Sequence, residues 1–159
     1  MFTAYNRQAA IDYANKWALS RNPNYYDFEN IGGDCTNFAS QALFTGYGVQ
    51  NYKPTFGWYY NSLHDRAPAW SSTEYLYNFL TTNKGAGPKA REVKIFEVQP
   101  GDLVQMSFKD GVFTHTPFIT EVGSPATLAN IKVAAHSDDS IDRPLSTYTF
   151  EKIRFLHML

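Results

Sequence analysis

The chain has 159 residues, the length of one domain able to bury a core without disulfides or metal staples. Charged residues make up 18% of it and the formal net charge is -1, which leaves no basic footprint for nucleic acid or an anionic membrane surface. One cysteine excludes an intramolecular disulfide, and no apolar run approaches the length needed to span a bilayer.

Between Tyr5 and Ser20, Ala9, Tyr13 and Trp17 recur at helical spacing beside Ala10, Ala14 and Ala18, so this segment reads as an amphipathic helix. Asn22-Pro23-Asn24 closes it. A tyrosine-rich loop, 25-YYDFENIGG-33, leads to a second helix from Cys35 to about Thr45, with Asp34 at the N-cap position and Gly46 as the stop. The segment from 46 to about 92 is loop-rich, with 56-FGWYY-60 and Trp70 ahead of a helix at 72–80. Short β-type runs follow at 103–108, 113–122, 130–137, 147–150 and 152–158, and 137-SDDSID-142 has the composition of a turn. Helices first and strands afterwards indicate an α+β fold with an antiparallel sheet, in one domain over residues 1–159 and expected to be a monomer.

Cys35 is the residue on which a functional reading turns. At the first position of a helix, unpaired N–H groups and the positive end of the helix dipole favour a thiolate, so its pKa is expected below that of a free thiol. Gly32 and Gly33 would let a substrate backbone come close. The plainer reading, a small buried apolar residue, stays open. A nucleophile needs a base and the base an orienter. His64 reads as solvated and His157 as packing in the last strand, whereas His115 and His136 fall on neighbouring strands.

The segments 5-YNRQAAIDYANKWA-18, NPNYYDF, GGDCTNFASQAL, GWYY, PGDLVQM, THTPFIT and 153-IRF-155 together resemble the putative amidase domain family, a branch of the papain-like cysteine hydrolases related to NlpC/P60 and CHAP domains. The resemblance covers nearly the whole chain and is most specific in GGDCTNF. It implies N-terminal helices packed on a C-terminal antiparallel sheet, Cys35 as nucleophile, His115 as base and His136 near the orienting position. It also implies an amide-bond substrate, in bacterial cell-wall (peptidoglycan) peptides, and no cofactor.

Several further residues follow from these assignments. Asp138, two residues beyond His136, is the alternative orienter, because i and i+2 share a strand face. The Cys35 backbone N–H is an expected oxyanion donor, with a hydroxyl from Tyr25 or Tyr26 as a second. Trp58, Tyr59 and Trp70 are expected in a substrate cleft, with core packing as the alternative. Asn37 and Gln41 read as structural hydrogen-bonding groups. Two other classes compete: a zinc hydrolase using Cys35, His115, His136 and Asp138, which lack compact ligand spacing, and an inactive module binding peptide or glycan in an aromatic cleft. Residues 1–20 do not read as a basic n-region followed by an apolar h-region; an extracellular or wall-associated place is expected if the domain belongs to a longer protein.

Overall fold

The computed structural model describes residues 4–159. Two helices come first, α1 (Arg7–Trp17) and α2 (Cys35–Tyr47). The Asn6 side chain caps α1 by accepting the Ala9 N–H at 3.0 Å, and Ala10 and Ala14 form its buried face. The helix is shorter at both ends than its periodicity suggested, because Asn6 takes the cap position and a turn begins after Trp17.

Every residue of α2 from Cys35 to Leu43 is buried, which makes it the central helix rather than an amphipathic surface one. Gly46 does not stop it. The Tyr5 ring lies on Gly46 and stacks on Tyr47 at 4.4 Å, and the helix instead ends at Gly48, whose φ of 73° donates the cap N–H to the Phe44 carbonyl.

A small two-stranded sheet, β1 (Tyr60–Ser62) and β2 (Asp65–Arg66), precedes α3 (Pro68–Ser71) and α4 (Thr73–Thr82). The main sheet is assembled from β3 (Ala90–Val93), β4 (Leu103–Lys109), β5 (Val112–His115), β6 (Phe118–Val122), β7 (Ile131–Ala135), β8 (Ser140–Pro144) and β9 (Lys152–Met158). Its order is β3-β9-β4-β6-β7-β8, with β5 also paired to β4, and every pairing is antiparallel. The protein is therefore α+β, helices on an antiparallel sheet.

Alternation of side chains divides two cores between the faces of this sheet. Leu103, Phe118, Ala134 and Leu156 face the helices together with Phe38, Leu43, Trp58 and Trp70. Val104, Ile119, Val133 and Phe155 face the other way, against Val98 and Leu145. Asp102, fully buried, binds α1 to the sheet: it pairs with Arg7 at 2.8 Å and His157 Nδ1 at 2.9 Å and accepts the Met158 N–H at 2.9 Å. His157 is thus a polar tie as well as a packing residue.

Three expectations for the strands change. The run 113–122 is two strands, broken at Thr116-Pro117, because proline offers no N–H to the ladder. As a result β4 pairs with β6 at Leu103↔Phe118 and with β5 at Met106↔His115. The stretch at 147–150 is not a strand; a single 3-10 turn occupies Leu145–Thr147. Ser137 and Asp138, with φ of 59° and 71°, reverse the chain, and the polar Ser140–Pro144 then returns along β7 as the edge strand β8. No helix among the described residues is long and apolar enough to cross a membrane.

Candidate active site

Cys35 opens α2 at the floor of an open groove of about 460 Å³. Phe28, Ile31, Gly32 and Gly33 form one wall, Arg66 and residues 71–74 another, and Val112, Phe113 and Thr114 of β5 the third. The thiol is 5% exposed, in contact with the groove yet nearly enclosed. Its Sγ lies 3.6 Å from the Thr114 carbonyl and 3.8 Å from the Thr36 hydroxyl.

The two glycines before Asp34 have a structural cause. Gly32 and Gly33 hold φ of 102° and 97°, a region that side chains rarely adopt, and a Cβ on Gly33 would come within 3.0 Å of Ser137 Oγ. Ser137 Oγ donates to Glu29 at 2.9 Å and accepts the Asp34 N–H at 2.9 Å, clamping the loop over the end of β7.

The Asp34 side chain makes no cap bond to α2. Its Oδ1 accepts the Phe28 N–H and the Asn37 amide, both at 2.8 Å, and its Oδ2 lies 2.5 Å from His136 Nδ1. His136 Nε2 reaches the Trp17 carbonyl at 2.7 Å, and the ring stacks on Phe38 at 4.0 Å. A carbonyl only accepts, so Nε2 carries a proton. Both ring nitrogens are thereby occupied, and His136 faces Asp34 and α1 rather than His115. Asn37 passes the support outward, donating to the Tyr26 carbonyl and accepting Trp70 Nε1–H at 2.9 Å each; Gln41 accepts the Tyr13 hydroxyl at 2.5 Å.

Below the groove, Thr36, Thr73 and Thr116 join their hydroxyls at 2.9–3.0 Å, and Gln105 donates to the Thr73 carbonyl at 3.1 Å. Arg154 holds Gln105 and reaches Glu74 at 2.6 Å. These bonds fix β4, the link between β5 and β6, and α4 around the base of α2 and satisfy polar groups that burial would otherwise make costly.

His115 lines a neighbouring depression with Ser137, Asp138, Arg143 and Tyr148, and its ring packs beside Tyr148 and Phe108. Thr114 borders both depressions. No hydrogen bond joins Cys35 to His115 or His136 among the described residues. Asp138, largely exposed and paired with Arg143 at 3.1 Å, shares the depression with His115.

Electrostatics reverse the thiolate expected of Cys35. Burial pushes the Cys35 thiol above its ordinary value, outweighing the N–H groups of Thr116 and Thr36 and the Thr36 hydroxyl, which favour the thiolate; Asp34 adds to the rise. Burial, then the Arg143 charge, lowers His115 to about 4 against a partial opposing effect of Asp138. The resting pair is a thiol and a neutral imidazole.

The remaining expected residues divide. Trp58 and Trp70 are fully buried, 4.7 Å apart, with Trp58 Nε1–H bonded to Ser40 at 3.0 Å. They are core, not cleft, because α2, α3 and α4 close over them. Tyr59 is half-buried against Tyr52, away from the groove lining. Tyr25 stacks on Trp70 and Tyr60, while Tyr26 is exposed and uses its backbone to bond Tyr60 and Asn37; neither lines the groove. His64 is exposed. No three His, Cys, Asp or Glu side chains among the described residues are grouped to hold a metal ion. Phe28, Arg66 and the three threonines were not singled out from sequence, since only tertiary folding gathers residues 28, 36, 66, 73 and 116.

Comparison with known proteins places the chain in a family. The chain is 34% identical to the "Uncharacterized protein YhbB" of Bacillus subtilis (strain 168) over 119 residues, 72% of this chain and 37% of that protein. It is 28% identical to the "Uncharacterized protein YjcM" of the same organism over 150 residues, 88% of this chain and 32% of that protein. The chain thus spans about a third of the length of these relatives. No solved structure matches it. A family model described as "Putative amidase domain" matches residues 4–159, and the chain belongs to that family.

Proposed function

We propose that this protein is a cysteine-dependent amide hydrolase of the papain-like type, acting on peptide amides such as those of peptidoglycan. The observation that carries the reading is the placement of the only thiol: Cys35 heads a buried helix on the floor of a groove, its sulfur against the carbonyl of the residue preceding His115. Membership of the amidase-domain family and the resemblance of GGDCTNF and THTPFIT to cysteine hydrolases support the same reading.

Chemistry on these residues starts from neutral partners. The reading requires the His115 imidazole, now packed beside Tyr148 at the end of the short strand β5, to turn toward the sulfur when substrate enters. Its imidazole accepts the thiol proton as Sγ attacks the carbonyl carbon. The Cys35 N–H at the start of α2 donates to the developing oxyanion. The imidazolium then protonates the leaving amine, and water activated by His115 hydrolyses the thioester. Starting from thiol and imidazole avoids burying an ion pair in the resting site. Asp138 is the carboxylate beside His115; His136 acts one step back, holding Asp34 and with it the start of α2.

A second reading, a peptide-binding module without turnover, is favoured by the missing hydrogen bond between Cys35 and His115. Digestion of purified peptidoglycan and free stem peptides by the unsubstituted protein and by Cys35→Ala, with mass analysis of products, separates them. New amine termini that require Cys35 support the hydrolase. Saturable binding with no cleavage by either protein supports the module.

A further inference from the structure

Among the described residues, the groove contains one cation without an acidic partner. Glu74 is neutralised by Arg154 at 2.6 Å. Arg66, on the same wall, makes no ion pair among the described residues: its Nε donates to Ser71 Oγ at 2.9 Å, one Nη1 hydrogen goes to the Leu63 carbonyl, and its Nη2 has no protein partner. The guanidinium carbon sits over the Phe28 ring, 4.4 Å from its centroid, and Phe28 itself lines the groove.

Such a fork is fixed before any ligand arrives. Ser71 and Leu63 hold one edge, Phe28 holds the face, and what is left is an amino group with a delocalised positive charge at the wall of the groove that holds Cys35. Arginine in this state matches a carboxylate, which can take its charge and its free N–H groups together. The aliphatic and aromatic groups of Ile31, Val112 and Phe113 on the other walls suit the side chains of a peptide.

We propose that Arg66 is a specificity residue that binds a carboxylate of the peptide lying in the Cys35 groove. The site selects acidic peptides, those with a free terminal or side-chain carboxylate near the amide presented to the sulfur, over their neutral counterparts. This assignment rests on the hydrolase reading only for the identity of the attacked bond; the carboxylate preference is a property of binding.

The test measures binding to the full chain carrying Cys35→Ala, by calorimetry, with acetyl-alanyl-alanine and with the same dipeptide as its carboxamide. The acid is expected to bind at least about tenfold more tightly than the amide, the range for a hydrogen bond to a charged group. Arg66→Gln removes that preference, and Arg66→Lys, which keeps the charge and loses the fork, retains part of it. Equal binding of acid and amide overturns the proposal, as does failure of both to bind or an undiminished preference in Arg66→Gln. The acid-versus-amide comparison needs no substitution at Arg66, so it decides the matter even if the variants unfold. Turnover is scored separately on the unsubstituted protein. A carboxylate preference without cleavage of any peptide defeats the hydrolase reading and leaves Arg66 as a binding residue; cleavage of acid and amide alike at equal affinity does the reverse.

Discussion

The Asp34 carboxylate and the His136 imidazole lie 2.5 Å apart with both side chains 1% exposed, so a residue expected beside the catalytic base instead anchors the helix that carries the thiol. Asp34 precedes Cys35 in the chain, and His136 ties it to the Trp17 carbonyl at the end of α1. The link joins both helices to the end of β7.

His136→Ala leaves the Asp34 charge buried without its closest partner. Removal of one member of a buried pair costs about 3–5 kcal/mol, and chemical denaturation followed by circular dichroism is expected to show a loss of that order. A cost below about 1 kcal/mol would mean that Arg21, 3.6 Å from Asp34, compensates.

Cys35→Ala and His115→Ala are each expected to abolish peptide cleavage, whereas Asp138→Ala, at a largely exposed carboxylate, stays within about tenfold of the unsubstituted protein. Melting curves for all three establish that the fold survives. Full activity in Cys35→Ala would remove the nucleophile assignment.

Iodoacetamide labelling of Cys35 against pH is expected to inflect above about 8.5, the ordinary thiol value, because burial outweighs the nearby N–H groups. An inflection below that value would restore the thiolate expected from the helix start alone. Only one thiol is present, so the assignment of the label is unambiguous.

His115 gives stability a pH dependence with a definite sign. Its folded value of about 4 lies below the ordinary 6.5, so between these limits the unfolded chain binds a proton that the folded chain does not. Stability from this group is complete above about pH 6.5 and is lost as pH falls toward 4, with a ceiling of about 3 kcal/mol. In His115→Gln the pH profile of stability should flatten in that window; an unchanged slope would assign the effect to another group.

Gly46→Ala sets two effects against each other. Alanine gains about 1 kcal/mol of helix propensity over glycine, but its Cβ would stand 2.4 Å from the Tyr5 ring and 2.9 Å from the Asn6 carbonyl. Tyr5 is held by its stack on Tyr47 and by a 2.6 Å bond to Gly101, so it yields at a cost. A net destabilisation of about 1–3 kcal/mol is expected in thermal or urea melts.

Local signals made part of this legible in sequence. Cys35 begins a helix as its position after Gly-Gly-Asp implied, and helices precede an antiparallel sheet as the periodicities implied. What was hidden depends on distant partners. β8 is polar and lies at the edge of the sheet, so its first residues, 140–142, read as part of the turn 137–142 until β7 is beside them. His136 was expected to orient His115 because the two read as lying on neighbouring strands and the resemblance put it near that position, but Asp34, 102 residues away, lies 2.5 Å from its Nδ1. The aromatic run around Trp58 carries no sign of which face will be covered. Asp34 was visible only as a helix cap, and no local signal singled out Arg66.

Buried tryptophan gives the protein its own optical gauge. Trp58 and Trp70 lie together in a region that solvent does not reach, while Trp17 is partly open. Emission from the native state is therefore weighted toward short wavelengths, and iodide should quench only the fraction contributed by Trp17. Loosening of the helical layer over this core would reveal itself as a red shift.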